Sequence, residues 1–233
     1  MVKKNFYGGK YFRSIAKQRQ KIKKLFVKKN WIAHHGIERS GTNFLRAILI
    51  ELKINLINQF DPAENHPSHK HFRWYRDKSL IPNMKKSLLN DLTAENIYYI
   101  NKICKFFFDT KHIVIKKKKL NAITSIANYF LNQKILYKDD NFKINILSIQ
   151  NDYVAYYDFW KQISEKDPDL VQIIFYEDII NSTDALVKAL NIFRIFPNVD
   201  IPKKFSFSEL YESDIDRKKN ISEDEINEII KKK

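Results

Sequence analysis

The stretch "HHGIERSGTNFLRAIL", residues 34–49, sets two glycines five positions apart, Gly36 and Gly41, around a polar turn. Ahead of it, "WIAHHG" (31–36) reads as a short buried strand. Behind it, residues 43–52 carry Phe44, Leu45, Ile48, Leu49 and Leu52 on one side of a helix. A strand that turns through glycine into a helix opens an α/β unit, and the helix N-terminus offers N–H groups and a dipole to an anion. The alternation recurs outward. "INLI" (54–57) is a candidate second strand, residues 93–108 are helical in pattern, and "HIVIK" (112–116) is a buried strand. Residues 119–131 keep Leu120, Ile123, Ala127 and Phe130 in helical step, "YVAYYDFWKQIS" (153–164) is a further helix, and "VQIIFY" (171–176) is a strand. Asn181 or Ser182 caps the next helix, and Ser222 to Glu225 form a capping box for the last. Strands alternating with helices predict a three-layer α/β sandwich around a parallel sheet of about four to five strands. Ligands in such folds bind beyond the carboxyl ends of the strands.

The 233 residues fit one domain, 31–233, preceded by a basic, helical N-terminal arm, 1–30. With 42 basic and 27 acidic side chains the net charge is +15, which calls for anionic partners. A single cysteine, Cys104, excludes an intrachain disulfide and fits a reducing compartment. Neither a signal peptide nor a spanning helix is legible, so a cytoplasmic location is expected. The arm places Tyr11, Phe12, Ile15, Ile22, Leu25 and Phe26 on a stripe amid lysines. Such a helix packs on its own domain or lies on an anionic membrane surface, here the inner face.

Gly36 and Gly41 share the spacing of the nucleoside-triphosphate loop G-x-x-x-x-G-K-[ST], but Thr42 and Asn43 stand where its lysine and hydroxyl residue belong. That lysine reaches the terminal phosphates and the hydroxyl holds magnesium, so their loss argues against ATP or GTP hydrolysis. Backbone donors remain, with Arg39, Ser40, Thr42 and Asn43 around them.

In this context "GIERSGTNFL" resembles the 5′-phosphosulfate loop of the sulfotransferases that use 3′-phosphoadenosine 5′-phosphosulfate (PAPS), a family with a P-loop NTPase-like topology. A second stretch agrees. The family binds the donor's 3′-phosphate with a basic residue at a strand end and a serine eight positions later; in "HIVIKKKKLNAITSIANYF" Lys117 precedes Ser125 by that spacing. The family's residue is typically arginine, whereas lysine grips phosphate as a point charge. "VQIIFYEDIINSTDALVKALNIF" resembles the late strand ending in Tyr-Glu-Asp, where Glu177 and Asp178 are expected to bond backbone and basic neighbours. The tail lacks the glycines and tryptophan of the family's closing segment, leaving Arg217 and Lys218 for the 3′-phosphate.

The resemblance implies a sulfotransferase that uses PAPS, releases adenosine 3′,5′-bisphosphate, needs no metal and sulfates a hydroxyl, a carbohydrate (glycan or glycolipid) being favoured. Donor binding then falls to Arg39, Ser40, Gly41, Thr42, Asn43, Lys117, Ser125, Arg217 and Lys218. Arg39 neutralises the leaving phosphate. The proton acceptor comes from "ENHPSHKHFRWY" (64–75), with His71 first, His66 second and Glu64 in reserve, because histidine titrates near neutrality. Lys70, Arg73, Trp74 and Tyr75 suit an anionic acceptor, whereas Tyr153, Tyr157 and Trp160 at helical spacing read as core. A zinc site from His66, His69 and His71 is disfavoured by Pro67 and the absence of a nearby cysteine. Two rivals stand beside this reading. One is a non-catalytic nucleic-acid-binding protein, which the scatter of lysines disfavours; the other is a nucleotide kinase, disfavoured by the missing loop lysine.

Overall fold

The computed structural model describes residues 31–56, 71–72, 110–206 and 219–231. In chain order these form β1 (Trp31–Ile37), α1 (Thr42–Glu51), β2 (His71–Phe72), β3 (Thr110–Lys116), α2 (Lys119–Asn132) and α3 (Phe142–Lys166). There follow β4 (Val171–Phe175), α4 (Tyr176–Ile179), α5 (Asp184–Ile192) and α6 (Glu223–Lys231). The strands are parallel and lie in the order β2-β1-β3-β4. Three of them form the body of the sheet; β2 contributes two residues, paired with Gly36 and Ile37. β1 is buried at all seven positions because strands flank it on both edges and helices cover both faces.

Side chains alternate across the sheet. Ile32, Ile113, Ile115 and Ile174 pack with Phe44, Leu45, Ile48 and Leu49 of α1 and with Leu186, Ala189 and Leu190 of α5. On the opposite face Val114 and Val171 meet Ala122, Ile123, Ile126 and Phe130 of α2, Tyr153, Tyr157 and Trp160 of α3, and Ile226 of α6. The result is an α/β chain with a parallel sheet between two helical layers.

The expected helices and strands that fall on described residues recur with shifted ends, and the helix expected at 93–108 lies outside them. α3 begins at Phe142, eleven residues ahead of the apolar pattern at Tyr153, and its early turns are more exposed. The strand expected at 54–57 is reduced, within the described residues, to one bridge between Leu56 and Ile32, beside an Ile32 N–H bond to the Asn55 carbonyl at 2.9 Å. The turn leaving α1 holds the start of this stretch, where Ile54 N–H is tied back to the Leu49 carbonyl at 3.0 Å, and Ile57 lies outside the described residues. The Ser222–Glu225 capping box is present, with Ser222 N–H donating to Glu225 Oε2 at 2.8 Å and Glu225 N–H donating to Ser222 Oγ at 3.2 Å.

Three helices end alike. Lys53, Lys134 and Arg194 each follow a helix end with φ 55°, in the left-handed region. Each donates its N–H to the carbonyl three residues back, and the following isoleucine donates to the carbonyl five back: Ile54 to Leu49, Ile135 to Phe130 and Ile195 to Leu190. These are Schellman ends with a basic residue where glycine is usual, in a chain that has only 4 glycines to spend. Among the described residues no helix is long and apolar enough to cross a membrane.

Candidate anion site at the ends of β1 and β3

Strand order places the site. The chain passes from β1 to β2 on one side, then returns to β3 on the other, so the carboxyl ends of β1 and β3 flank a topological switch point. The 37–42 loop leaves one of these ends, and Lys117 and Lys118 leave the other.

The loop is tightly built. Ser40 spends both its N–H (3.1 Å) and its hydroxyl (2.6 Å) on the Ile37 carbonyl, closing the turn on itself. A side chain at Gly36 would put Cβ 2.4 Å from Ser40 Oγ, 2.7 Å from Thr42 Cγ2 and 2.9 Å from Ile115 Cγ2. Gly41 is at φ 96°, and a Cβ there would stand 2.3 Å from Tyr176 Cδ2. The ring that opens the Tyr176-Glu177-Asp178 segment therefore lies directly on the loop. Gly41 also occupies the N-cap of α1, whose first turn carries no acid, so neither a capping side chain nor a carboxylate competes with an anion at that helix end. Thr42 is buried and Asn43 half-buried at the start of α1.

Arg39 is held at φ 69° without a helix end to require it, a conformation that costs a non-glycine residue on the order of 1 kcal/mol. Its guanidinium lies 5.1 Å from the centroid of the Tyr129 ring on α2. Ser125, half-buried, sits one helical turn before Tyr129 on that same side of α2. Lys117 approaches from β3 with its ammonium 5.4 Å from the Tyr176 ring centroid. Burial lowers the Lys117 pKa; Glu177 opposes that, Arg39 adds to it, and Glu223 of α6 opposes it again. Arg39 and Lys117 thus share one electrostatic neighbourhood although 78 positions separate them, and Glu177 and Glu223 favour the charged form of Lys117.

Glu177 bonds the backbone of the lysine run, as expected for the Tyr-Glu-Asp segment: Oε1 accepts the Lys118 N–H at 3.0 Å. Among the described residues its buried Oε2 has no hydrogen-bond partner. Two tyrosines of α3 brace the same corner: Tyr153 donates its hydroxyl to the Lys117 carbonyl at 2.5 Å, and Tyr157 donates to the Ile115 carbonyl at 2.9 Å. Burial raises both phenol pKa values far above the ordinary range, so both hydroxyls stay protonated donors. Spacing assigned these tyrosines to the core, and they are buried there; their bracing of the β3 end was not legible, because spacing does not say which carbonyl a hydroxyl meets.

His71 begins β2 and pairs with Gly36, which sets its backbone at the loop end of the sheet. His66, Lys70, Arg73, Trp74, Tyr75, Arg217 and Lys218 lie outside the described residues, as do Glu64, His69 and the 1–30 arm. A second buried cluster sits deeper. His35 Nε2 and His112 Nδ1 are 3.1 Å apart on β1 and β3, with His35 stacked on Trp160 at 4.9 Å. Burial and mutual repulsion hold His35 well below its ordinary pKa, and burial, then Lys111, lowers His112 to about 4. This pair is neutral core and takes no part in the site. Comparison with models of known protein families, with curated proteins and with solved structures finds no match.

Proposed function

We propose that the protein is a sulfotransferase that moves a sulfuryl group from PAPS to an acceptor hydroxyl, with a carbohydrate as the favoured acceptor. One observation carries the reading: a glycine turn lacking the nucleoside-triphosphate lysine and a lysine at the end of the neighbouring strand both lie against the Tyr176 ring, which packs on Gly41 and sits 5.4 Å from the Lys117 ammonium. A ligand with an anionic group at each end suits that arrangement, and PAPS is such a molecule. On this reading the fold is P-loop NTPase-like. The 37–43 loop and the start of α1 hold the 5′-phosphosulfate, while Lys117 and Ser125 hold the 3′-phosphate. Arg217 and Lys218 would close over that phosphate.

The chemistry needs alignment and charge stabilisation. The acceptor oxygen attacks sulfur, the bond from sulfur to the bridging oxygen breaks, and the bisphosphate leaves with its new charge facing Arg39. The acceptor proton passes to a base, His71 first and His66 second, with Lys70, Arg73, Trp74 and Tyr75 holding the acceptor. Glu177 and Glu223 counter the charge of Lys117 before the donor arrives, so donor binding competes with two carboxylates and weakens with salt.

Calorimetry at moderate salt tests the reading. Adenosine 3′,5′-bisphosphate should bind at least tenfold tighter than ATP or adenosine 5′-monophosphate; indifference to the 3′-phosphate would sink it. Lys117→Ala should mainly weaken that binding, whereas Arg39→Ala should lower transfer more than affinity. His71→Ala should abolish turnover and leave affinity intact.

A further inference from the structure

The run Lys116 to Lys119 does not face one way. Lys117 turns to the loop site and lies over Tyr176, whereas Lys116, Lys118 and Lys119 line a separate open groove of about 350 Å³. That groove lies beyond the ends of β3 and β4, between the β3–α2 connection and α3. Its walls are Tyr153, Tyr157, Val154 and Phe175, with Asp158 as the acidic residue lining it. The Lys116 ammonium sits 5.2 Å from the Tyr157 ring centroid and 5.9 Å from that of Phe175, so it is held between two aromatic faces. Phe175 and Val154 keep 41% and 40% of their surface exposed, although both are large apolar residues. The groove also borders the N-terminus of α2, although Glu177 Oε1 already accepts the N–H of the N-cap residue Lys118 at 3.0 Å, so the lysine side chains and not the helix end select the anion.

We infer that this groove is a second binding site, distinct from the loop site, for a six-membered ring bearing a phosphate, sulfate or carboxylate. Three lysines against one aspartate select an anion. Apolar aromatic walls that would be costly to leave wet select the flat body attached to it. The volume is at the low end for ligand pockets and suits one ring rather than a chain. The site does not depend on the PAPS reading: neither Arg39 nor Lys117 lines it, and it would bind its ligand whatever the loop holds.

The test uses the full chain, ligand-observed NMR and three probes: phenyl phosphate, glucose 6-phosphate and inorganic phosphate. Either ring phosphate is expected to bind at least tenfold tighter than inorganic phosphate, and the tighter one identifies the ring as aromatic or sugar. Phe175→Ser, at an exposed position, should reduce that preference to near unity with inorganic phosphate unchanged. Lys116→Gln should weaken all three, whereas Lys117→Ala should leave ring-phosphate binding within twofold. Equal affinity for ring and inorganic phosphates, an unaffected Phe175→Ser variant, or displacement of the ring phosphate by adenosine 3′,5′-bisphosphate would each overturn the inference. Failure of the bisphosphate to bind at all would count against the donor reading alone, because the Phe175 arm still decides the groove.

Discussion

Replacing Gly41 by alanine tests the loop at the point where the structure is least tolerant. A Cβ at this position would stand 2.3 Å from Tyr176 Cδ2, 2.8 Å from Cε2 and 3.2 Å from Ile115 Cδ1. Two costs add. Holding alanine at φ 96° costs about 1–3 kcal/mol, and forcing the ring aside costs about 1–3 kcal/mol more. The ring cannot swing away freely, since it packs edge-on against Phe44 at 6.4 Å and lies under the Lys117 ammonium. The sum, roughly 2–6 kcal/mol, is a large share of an ordinary domain's stability. At about 2–4 °C per kcal/mol it lowers Tm by roughly 4–24 °C. Urea and thermal unfolding measure this, and titration with adenosine 3′,5′-bisphosphate at a temperature where the variant is folded should show at least a tenfold loss. Combining Gly41→Ala with Tyr176→Ala separates the two causes: the clash disappears and the strain stays, giving a coupling of about 1–3 kcal/mol. If Gly41→Ala melts within 2 °C of the parent, with ~2 °C marking less than about 1 kcal/mol, the described contact between loop and ring is wrong.

Other outcomes follow from the same coordinates. Lys53→Gly, Lys134→Gly and Arg194→Gly should each raise stability by about 0.5–1 kcal/mol in urea titrations, because each removes a Cβ from a left-handed helix end; a loss at all three would refute the Schellman assignment. Arg39→Gly relieves the same kind of strain and should lower transfer more than donor affinity, separating stability from function at one residue. Acid should destabilise the chain through the His35–His112 pair. The folded pKa of His112 is depressed from 6.5 to about 4, so the unfolded state takes up the proton first. Its stability contribution is therefore full above pH 6.5, falls as pH drops from there to about 4, and then levels. Between ~pH 7 and ~pH 5 His112 alone accounts for about 2 kcal/mol, with His35 acting in the same direction. Unchanged urea midpoints across that window would show that the pair is not buried and neutral.

The amino-acid sequence by itself determined what depends on near neighbours in the chain. "WIAHHGI" followed by Glu-Arg-Ser-Gly and an apolar helical stripe can only bury itself as strand, turn and helix, and β1 and α1 are so placed. The same local logic gave the strand before the lysine run, the helix through Phe130 and the Ser222–Glu225 box, and hence a parallel sheet with helices on both faces. The left-handed helix ends were within reach too: Lys-Ile or Arg-Ile follows each helix at 53–54, 134–135 and 194–195. They were missed because glycine is the usual marker.

Tertiary structure alone decided what depends on which strands become neighbours. Lys117 meets Arg39 because β3 is laid beside β1, and Tyr176 covers Gly41 because α4 starts at the end of β4, the next strand across. The division of four consecutive lysines between two sites follows from the chain leaving β3: Lys116 still alternates toward α3, whereas Lys117 has already turned toward the loop. No periodicity along the chain encodes these encounters. They arise because a sheet brings strand ends within a few ångströms of one another whatever their separation in sequence, and burial then fixes which side chains must share the space.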